Sequence, residues 1–207
     1  MTAWFIFFLL ALPFFLNDFV FAVAVESDTW LFTDYATKLF ALFLALWLIQ
    51  TKRLAWRQLG LSALPFKEFV FWSVLLSVTG ILIDQFAPLF LKSLPDWRFF
   101  SFPAIADRWV TGVDLTFGLM LTALSEEVVF RGAALLFLAA YFKKTWAAVI
   151  FSVLVFGAIH WGLGMAVMIS AALWGILPAL SVLKTRSIWP AVVAHYLTNL
   201  VDFSGVL

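Results

Sequence analysis

The sequence predicts an all-α, polytopic membrane bundle of about seven transmembrane helices, within a range of six to eight. Three observations predict it. First, 65% of the 207 residues are hydrophobic and only 12% are charged, whereas soluble domains carry about 45–50% apolar and about 25% charged residues. Second, the apolar residues fall in runs that suit spans of roughly 20 residues. Third, basic residues collect in alternate loops, as the topology of a multi-pass protein requires. The net charge is +1, so no broad field favours nucleic acid or acidic substrates. The chain has no cysteine, which removes disulfides, thiol catalysis and thiolate metal sites.

The first span is expected over 3–25. It ends Ala22-Val23-Ala24, which resembles a signal-cleavage site, but the first basic residue is Lys38. A signal peptide starts with positive charge, so a retained helix is expected, its apolar run interrupted at Asn17 and Asp18. The segment holding Glu26, Asp28 and Asp34 reads as an acidic external loop, followed by a second span at 35–51. A basic loop (Lys52, Arg53, Arg57, Lys67) leads to a third span at 68–91. The longest loop, 92–112, contains Pro95, Asp96, Trp97, Arg98 and Pro103 and suits an external segment on the membrane surface. Four further spans are expected over 113–142, 146–161, 164–183 and 188–204, joined by turns carrying Lys143/Lys144 and Lys184/Arg186.

Eight basic residues thus fall in one set of loops and three (Lys92, Arg98, Arg108) in the other. Positive charge stays inside, so the N-terminus and the basic loops are expected in the cytoplasm. Trp30, Trp56, Trp97, Trp109, Trp146, Trp161 and Trp189 fall near the expected boundaries, where amphipathic rings settle. No repeat or low-complexity linker appears. Residues 1–110 read as three N-terminal spans with an external loop and no internal motif. Residues 111–207 read as a four-span core that carries every polar motif.

Those motifs are costly in hydrocarbon, where ionisable residues are rare and functional. Glu126, Glu127 and Arg131 interrupt the fourth span about 22 Å from its cytoplasmic end, at 1.5 Å per residue. Glu127 and Arg131 are four apart and share a face. Glu126 is turned about 100° away, which leaves it the less neutralised carboxylate and the candidate general base. His160 ends an apolar run, with Phe156 one turn earlier. His195 and Asn199 are four apart in the last span and present donors of the kind that stabilise an oxyanion. These are the only two histidines in the chain.

The ordered set Glu126-Glu127-Val-Val-Phe-Arg131, Phe156-Gly-Ala-Ile-His160 and His195-Tyr-Leu-Thr-Asn199 resembles the CPBP family. These are intramembrane proteases named for CAAX and bacteriocin processing (also called Abi) and related to Ras-converting CAAX endopeptidases. The resemblance covers about residues 113–203, and Arg57-Gln58-Leu59-Gly60-Leu61 also resembles a family feature. It implies that Glu126, assisted by His160, activates water. By the same resemblance His195 and Asn199 form an oxyanion hole, while Glu127 and Arg131 position the first carboxylate. No cofactor is favoured. If zinc is present, Glu126, His160 and His195 are its candidate ligands, but a zinc ligand is no longer free as the base. The expected partners are the lipid bilayer and a membrane-associated protein or peptide: a C-terminal tail, a sorting signal or a bacteriocin-type peptide. The expected setting is a bacterial or archaeal plasma membrane. A proton-coupled transporter and a non-catalytic immunity or scaffold protein are the alternative functions.

On straight helices His160 lies about 21 Å from the cytoplasmic end of its span and His195 about 11 Å from its own. Irregular backbone near Gly157, Gly162 and Gly164 is expected to absorb the difference.

Overall fold

A computed structural model describes residues 2–23, 26–95, 97–99 and 105–205. Ala24 of the cleavage-like triplet, and Asp96 and Pro103 of the long loop, lie outside the described residues. Helices account for every regular element among those described, and the bundle is all-α. They are α1 (Ala3–Val23), α2 (Ser27–Gln50), α3 (Phe66–Leu91), α4 (Arg108–Val113), α5 (Leu119–Glu126), α6 (Thr145–Ala158), α7 (Met165–Thr185) and α8 (Trp189–Ser204). Residues Asp28–Gln50, Phe66–Leu91 and Met165–Thr185 are each long and apolar enough to cross a membrane. Ala3–Asn17 and Thr145–Ala158 are shorter apolar stretches.

The fourth span is one helical rod from Arg108 to Tyr141, but it is not a regular α-helix. A π-helical segment, Asp114–Gly118, separates α4 from α5, and a second, Glu127–Phe137, follows α5 before a closing 3-10 turn at Leu138–Tyr141. The π-helix bonds i to i+5 and usually marks a functional position. The expected α-helical winding therefore stops at Glu126, and the second segment begins at Glu127. The rod starts cleanly because Asp107 caps it: its carboxylate accepts from the backbone N–H of Trp109 and Val110 at 2.7 and 3.0 Å.

Two expectations near the N-terminal half are corrected. The acidic segment expected as an external loop winds into α2, which begins at Ser27 rather than 35. Asp34 is consequently buried inside the bundle. It is held there by a hydrogen bond from Asn17 and an ion pair with Lys38, one turn further along the helix. Trp30, expected at the interface, is buried as well, whereas Trp56, Trp109 and Trp146 are well exposed. Pairing offsets part of the desolvation cost that makes isolated charges avoid hydrocarbon.

The short basic-loop segment braces the rod. Residues Trp56–Leu59 form a 3-10 turn closed by Gly60 at φ +69°. The carbonyl of Gly60 accepts from Ile188 N at 2.9 Å, and the Ser187 hydroxyl donates to Ser62 O at 2.7 Å. A Cβ on Gly132 would meet the backbone of Leu59 at 2.8 to 3.1 Å. That backbone cannot swing aside as a flexible side chain would, so Gly132 sets how closely the loop approaches the residue after Arg131. Gly132→Ala is expected to destabilise the fold by about 1–3 kcal/mol through overpacking. Thermal unfolding in detergent micelles measures it, and an unchanged midpoint would show that the loop yields.

Candidate active site

Glu127 and Arg131 are completely buried, and Arg131 Nε lies 3.4 Å from Glu127 Oε2. The four-residue spacing expected to pair them does so. The remaining carboxylate oxygen has a second task that the spacing did not show. His195 Nδ1 lies 3.1 Å from Glu127 Oε1. A carboxylate there accepts, so Nδ1 carries the proton and donates. The other ring nitrogen, Nε2, lies 3.8 Å from Glu126 Oε2. One imidazole from α8 therefore stands between the two adjacent carboxylates of the rod. Its orientation is set by Glu127, as a carboxylate orients a histidine in other hydrolytic sites.

His160 lies just past α6, where the chain leaves the helix for a 3-10 turn at Trp161–Leu163 and reverses through Gly164 at φ +99°. The irregular backbone is where the glycines placed it. Its Nδ1 lies 3.0 Å from the Phe156 carbonyl oxygen. A carbonyl can only accept, so Nδ1 holds the proton and Nε2 presents a lone pair. The difference in depth expected between His160 and His195 is absorbed in the packing. The Phe156 ring meets both imidazoles edge-on, at centroid distances of 5.3 and 5.9 Å.

Phe156 also carries the guanidinium. Arg131 Cζ lies 4.0 Å from the centre of its ring and 5.4 Å from that of Trp174. A cation over an aromatic face gains electrostatic attraction that grows on desolvation. Trp174 lies 4.8 Å from the His195 ring as well. A Cβ on Gly175 would come within 3.1 Å of Arg131 Nη2, so the absent side chain makes room for the guanidinium.

Glu126, His160, His195 and Asn199 line one cavity of about 390 Å³. Of the six residues singled out in the sequence, Glu126, Glu127, Arg131 and His195 make direct contacts with one another. His160 and Asn199 join them through the shared wall. Sequence reasoning missed Trp174, whose ring is indistinguishable in the sequence from a lipid-facing one. It also missed Asn17, Asp34, Lys38 and Thr122, which line the same cavity. The signal for these was present: Asn17 breaks an apolar run, and Lys38 is the first basic residue of the chain.

Residues 108–201 match the family model described as type II CAAX prenyl endopeptidase Rce1-like. Over that segment the chain is similar to the Rce1-like family. No curated protein and no solved structure matches the chain. The Rce1-like region starts with the first residue of α4, ends inside α8, and contains Glu126, Glu127, Arg131, His160, His195 and Asn199. The match and the three long apolar helices support an integral membrane protein, and the match supports a CAAX-type protease in general.

Within the Rce1-like region Glu127 and Arg131 form a fully buried pair. Arg131→Met would leave Glu127 buried and uncompensated, a loss of about 3–5 kcal/mol. The expected outcome is a large fall in the unfolding midpoint. The double variant Glu127→Gln/Arg131→Met, which buries no charge from this pair, should recover much of it.

Proposed function

We propose that the protein is an endopeptidase that hydrolyses a peptide bond with water activated by Glu126, without a metal. The observation that carries this reading is the seating of His195 between the two carboxylates. It makes Glu127 the orienting group and leaves Glu126 facing the cavity. Glu126 takes one proton from water while the lone pair on His160 Nε2 accepts its other hydrogen and aims it. The hydroxide adds to the scissile carbonyl carbon, and the carbonyl oxygen becomes an oxyanion. Asn199 and His195 Nε2–H donate to it. The second imidazole proton is the one that Glu126 took from water, passed to Nε2 across the 3.8 Å gap and returned to Glu126 as the adduct collapses, and Glu127 supplies the counter-charge in between. Collapse of the adduct breaks the C–N bond, and Glu126 passes its proton to the leaving amine. Proton transfer and oriented donors are the two contributions such a site can make.

Zinc would need Glu126, His160 and His195 to converge on one ion. Among the described residues no group of three His, Asp or Glu side chains is placed to hold one. In the metal-free reading Glu126 stays free to act as the base, which a zinc ligand could not do.

The substrate we propose is a membrane-associated protein or peptide cut near its C-terminal tail. The asymmetry of basic loops supports a cytoplasmic N-terminus. The cavity is lined by Asp84, Arg98, Leu163 and Asp202, which lie towards the helix ends remote from the basic loops. In that orientation the substrate enters from the external face.

Purified protein in detergent with an internally quenched, farnesylated CAAX-type peptide tests the reading. Glu126→Gln is expected to abolish cleavage while keeping the wild-type unfolding midpoint. Asn199→Ala should lower kcat by about 10²–10³-fold, as loss of an oxyanion donor does. Cleavage by Glu126→Gln at the wild-type rate would sink the proposal. A second check is incubation with a zinc chelator such as 1,10-phenanthroline, which is expected to leave the rate unchanged. Loss of activity restored by added zinc would refute the metal-free chemistry.

A further inference from the structure

The cavity that holds Glu126 carries an excess of negative charge. Asp34, Asp84, Asp114, Glu126 and Asp202 line it, against Lys38 and Arg98. Three of these carboxylates are served by neighbours inside the protein: Asp34 pairs with Lys38, Asp114 accepts from the Tyr35 hydroxyl at 2.7 Å, and Glu126 faces His195. Asp84 and Asp202 are not. Among the described residues Asp84 accepts only from the neighbouring Gln85 side chain, at 3.5 Å, and no side chain donates to Asp202. Arg98 shares the wall but pairs with neither of them.

The two carboxylates sit level with each other. α3 follows the basic loop and α8 follows the basic turn, and the start of α8 is tied to the loop by the bond from Ile188 N to Gly60 O. The helices therefore run in the same direction, and equal steps along each keep residues level. A Cβ on Gly80 of α3 would collide with Thr198 Oγ1 of α8, which sets these two at one height. One turn further along each helix, on the same face, come Asp84 and Asp202, close enough to repel each other. Asp84 is half-buried and Asp202 is exposed, as suits the mouth of the cavity. Thr198 supplies a further acceptor just inside the pair. It is more than nine-tenths buried, it lines the cavity, and its hydroxyl, turned into the α3–α8 seam, has no hydrogen-bond partner. A primary ammonium has three N–H donors and no acceptor. Two carboxylates and a hydroxyl oxygen are its complement.

We propose that Asp84, Asp202 and Thr198 form a subsite for a lysine side chain of the substrate. This rests on the protease reading for the chain that brings the cation, but binding tests it without cleavage. Asp202 lies seven residues past His195, about 10 Å along α8. An extended peptide covers about 3.3 Å per residue, so the lysine falls about three residues from the scissile bond.

The test titrates Glu126→Gln protein in detergent with fluorescent farnesylated peptides of one uncharged, C-terminally amidated sequence. Each carries lysine, norleucine or glutamate at one position, moved through four successive positions. At the best position lysine is expected to bind about ten-fold or more tighter than norleucine, the ratio that one charge-assisted hydrogen bond supports. Glutamate there should bind more weakly than norleucine. Mass spectrometry of the wild-type products should place the cut about three residues from that position. Adding Asp84→Asn/Asp202→Asn, which keeps size and removes charge, should bring lysine and norleucine within about two-fold of each other. Thr198→Val should reduce the preference without changing norleucine binding. Asp202→Lys, at an exposed position, should turn the preference towards glutamate.

Two acids that merely meet water at helix ends would leave lysine and norleucine equal. That equality in the parent, a lysine preference that survives Asp84→Asn/Asp202→Asn, or no saturable binding of any lysine peptide overturns the proposal. A preference abolished by the double variant, with no cleavage by the wild type, sinks the protease reading and leaves the subsite standing. Cleavage with no lysine preference does the reverse.

Discussion

The site is organised by one carboxylate that never meets solvent. Glu127 has no exposed surface, and its two oxygens face a guanidinium on one side and an imidazole on the other. A bare carboxylate at this depth is untenable, since the desolvation of a buried ion costs several kcal/mol. The fold therefore has to deliver both partners. Arg131 comes from the same rod, and His195 comes from α8. Satisfying Glu127 thus joins the last helix to the central one and fixes the direction of the ring that faces Glu126.

The aromatic shell follows from the same constraint. Arg131 cannot be hydrated, so its charge is spread over Phe156 and, further off, Trp174. Phe156 lies one turn before His160 and touches both imidazoles. Packing that shelters the cation consequently also sets the spacing of the two histidines. The π-helical winding from Glu127 onward belongs to this arrangement. It rotates the residues after Glu126 away from their α-helical bearings, and it lies where Gly132 admits the backbone of Leu59 from the basic loop.

The cavity is built by both halves of the chain. The Rce1-like region supplies the two carboxylates, both imidazoles and the asparagine, while α1 and α2 supply a charged network at the same wall. Polar groups from the N-terminal helices persist there because each is partnered. Asp34 and Lys38 neutralise each other in the hydrocarbon layer, and Asn17 and Thr122 complete their hydrogen bonds.

Much was legible in the sequence. Hydropathy placed helical segments in all seven expected stretches, three of them holding a helix long and apolar enough to cross a membrane, and the six polar residues in the last four stood out against that background. Helical spacing paired Glu127 with Arg131, since neighbours four apart meet whatever the rest of the fold does. Contacts between spans were not legible. That Glu127 orients His195, that Phe156 joins His160 to His195, and that Asp34 and Lys38 turn inward each depend on which helices lie side by side. Periodicity along one helix carries no information about its neighbours. The boundary of α2 was misplaced for the same reason: acidic residues at 26–34 read as solvent-facing until the tertiary structure supplied Asn17 and Lys38 as partners. The sequence by itself determined a membrane bundle and the residues able to do chemistry in it. The tertiary structure decided which of them share a cavity, because only packing brings groups from different helices within hydrogen-bond reach.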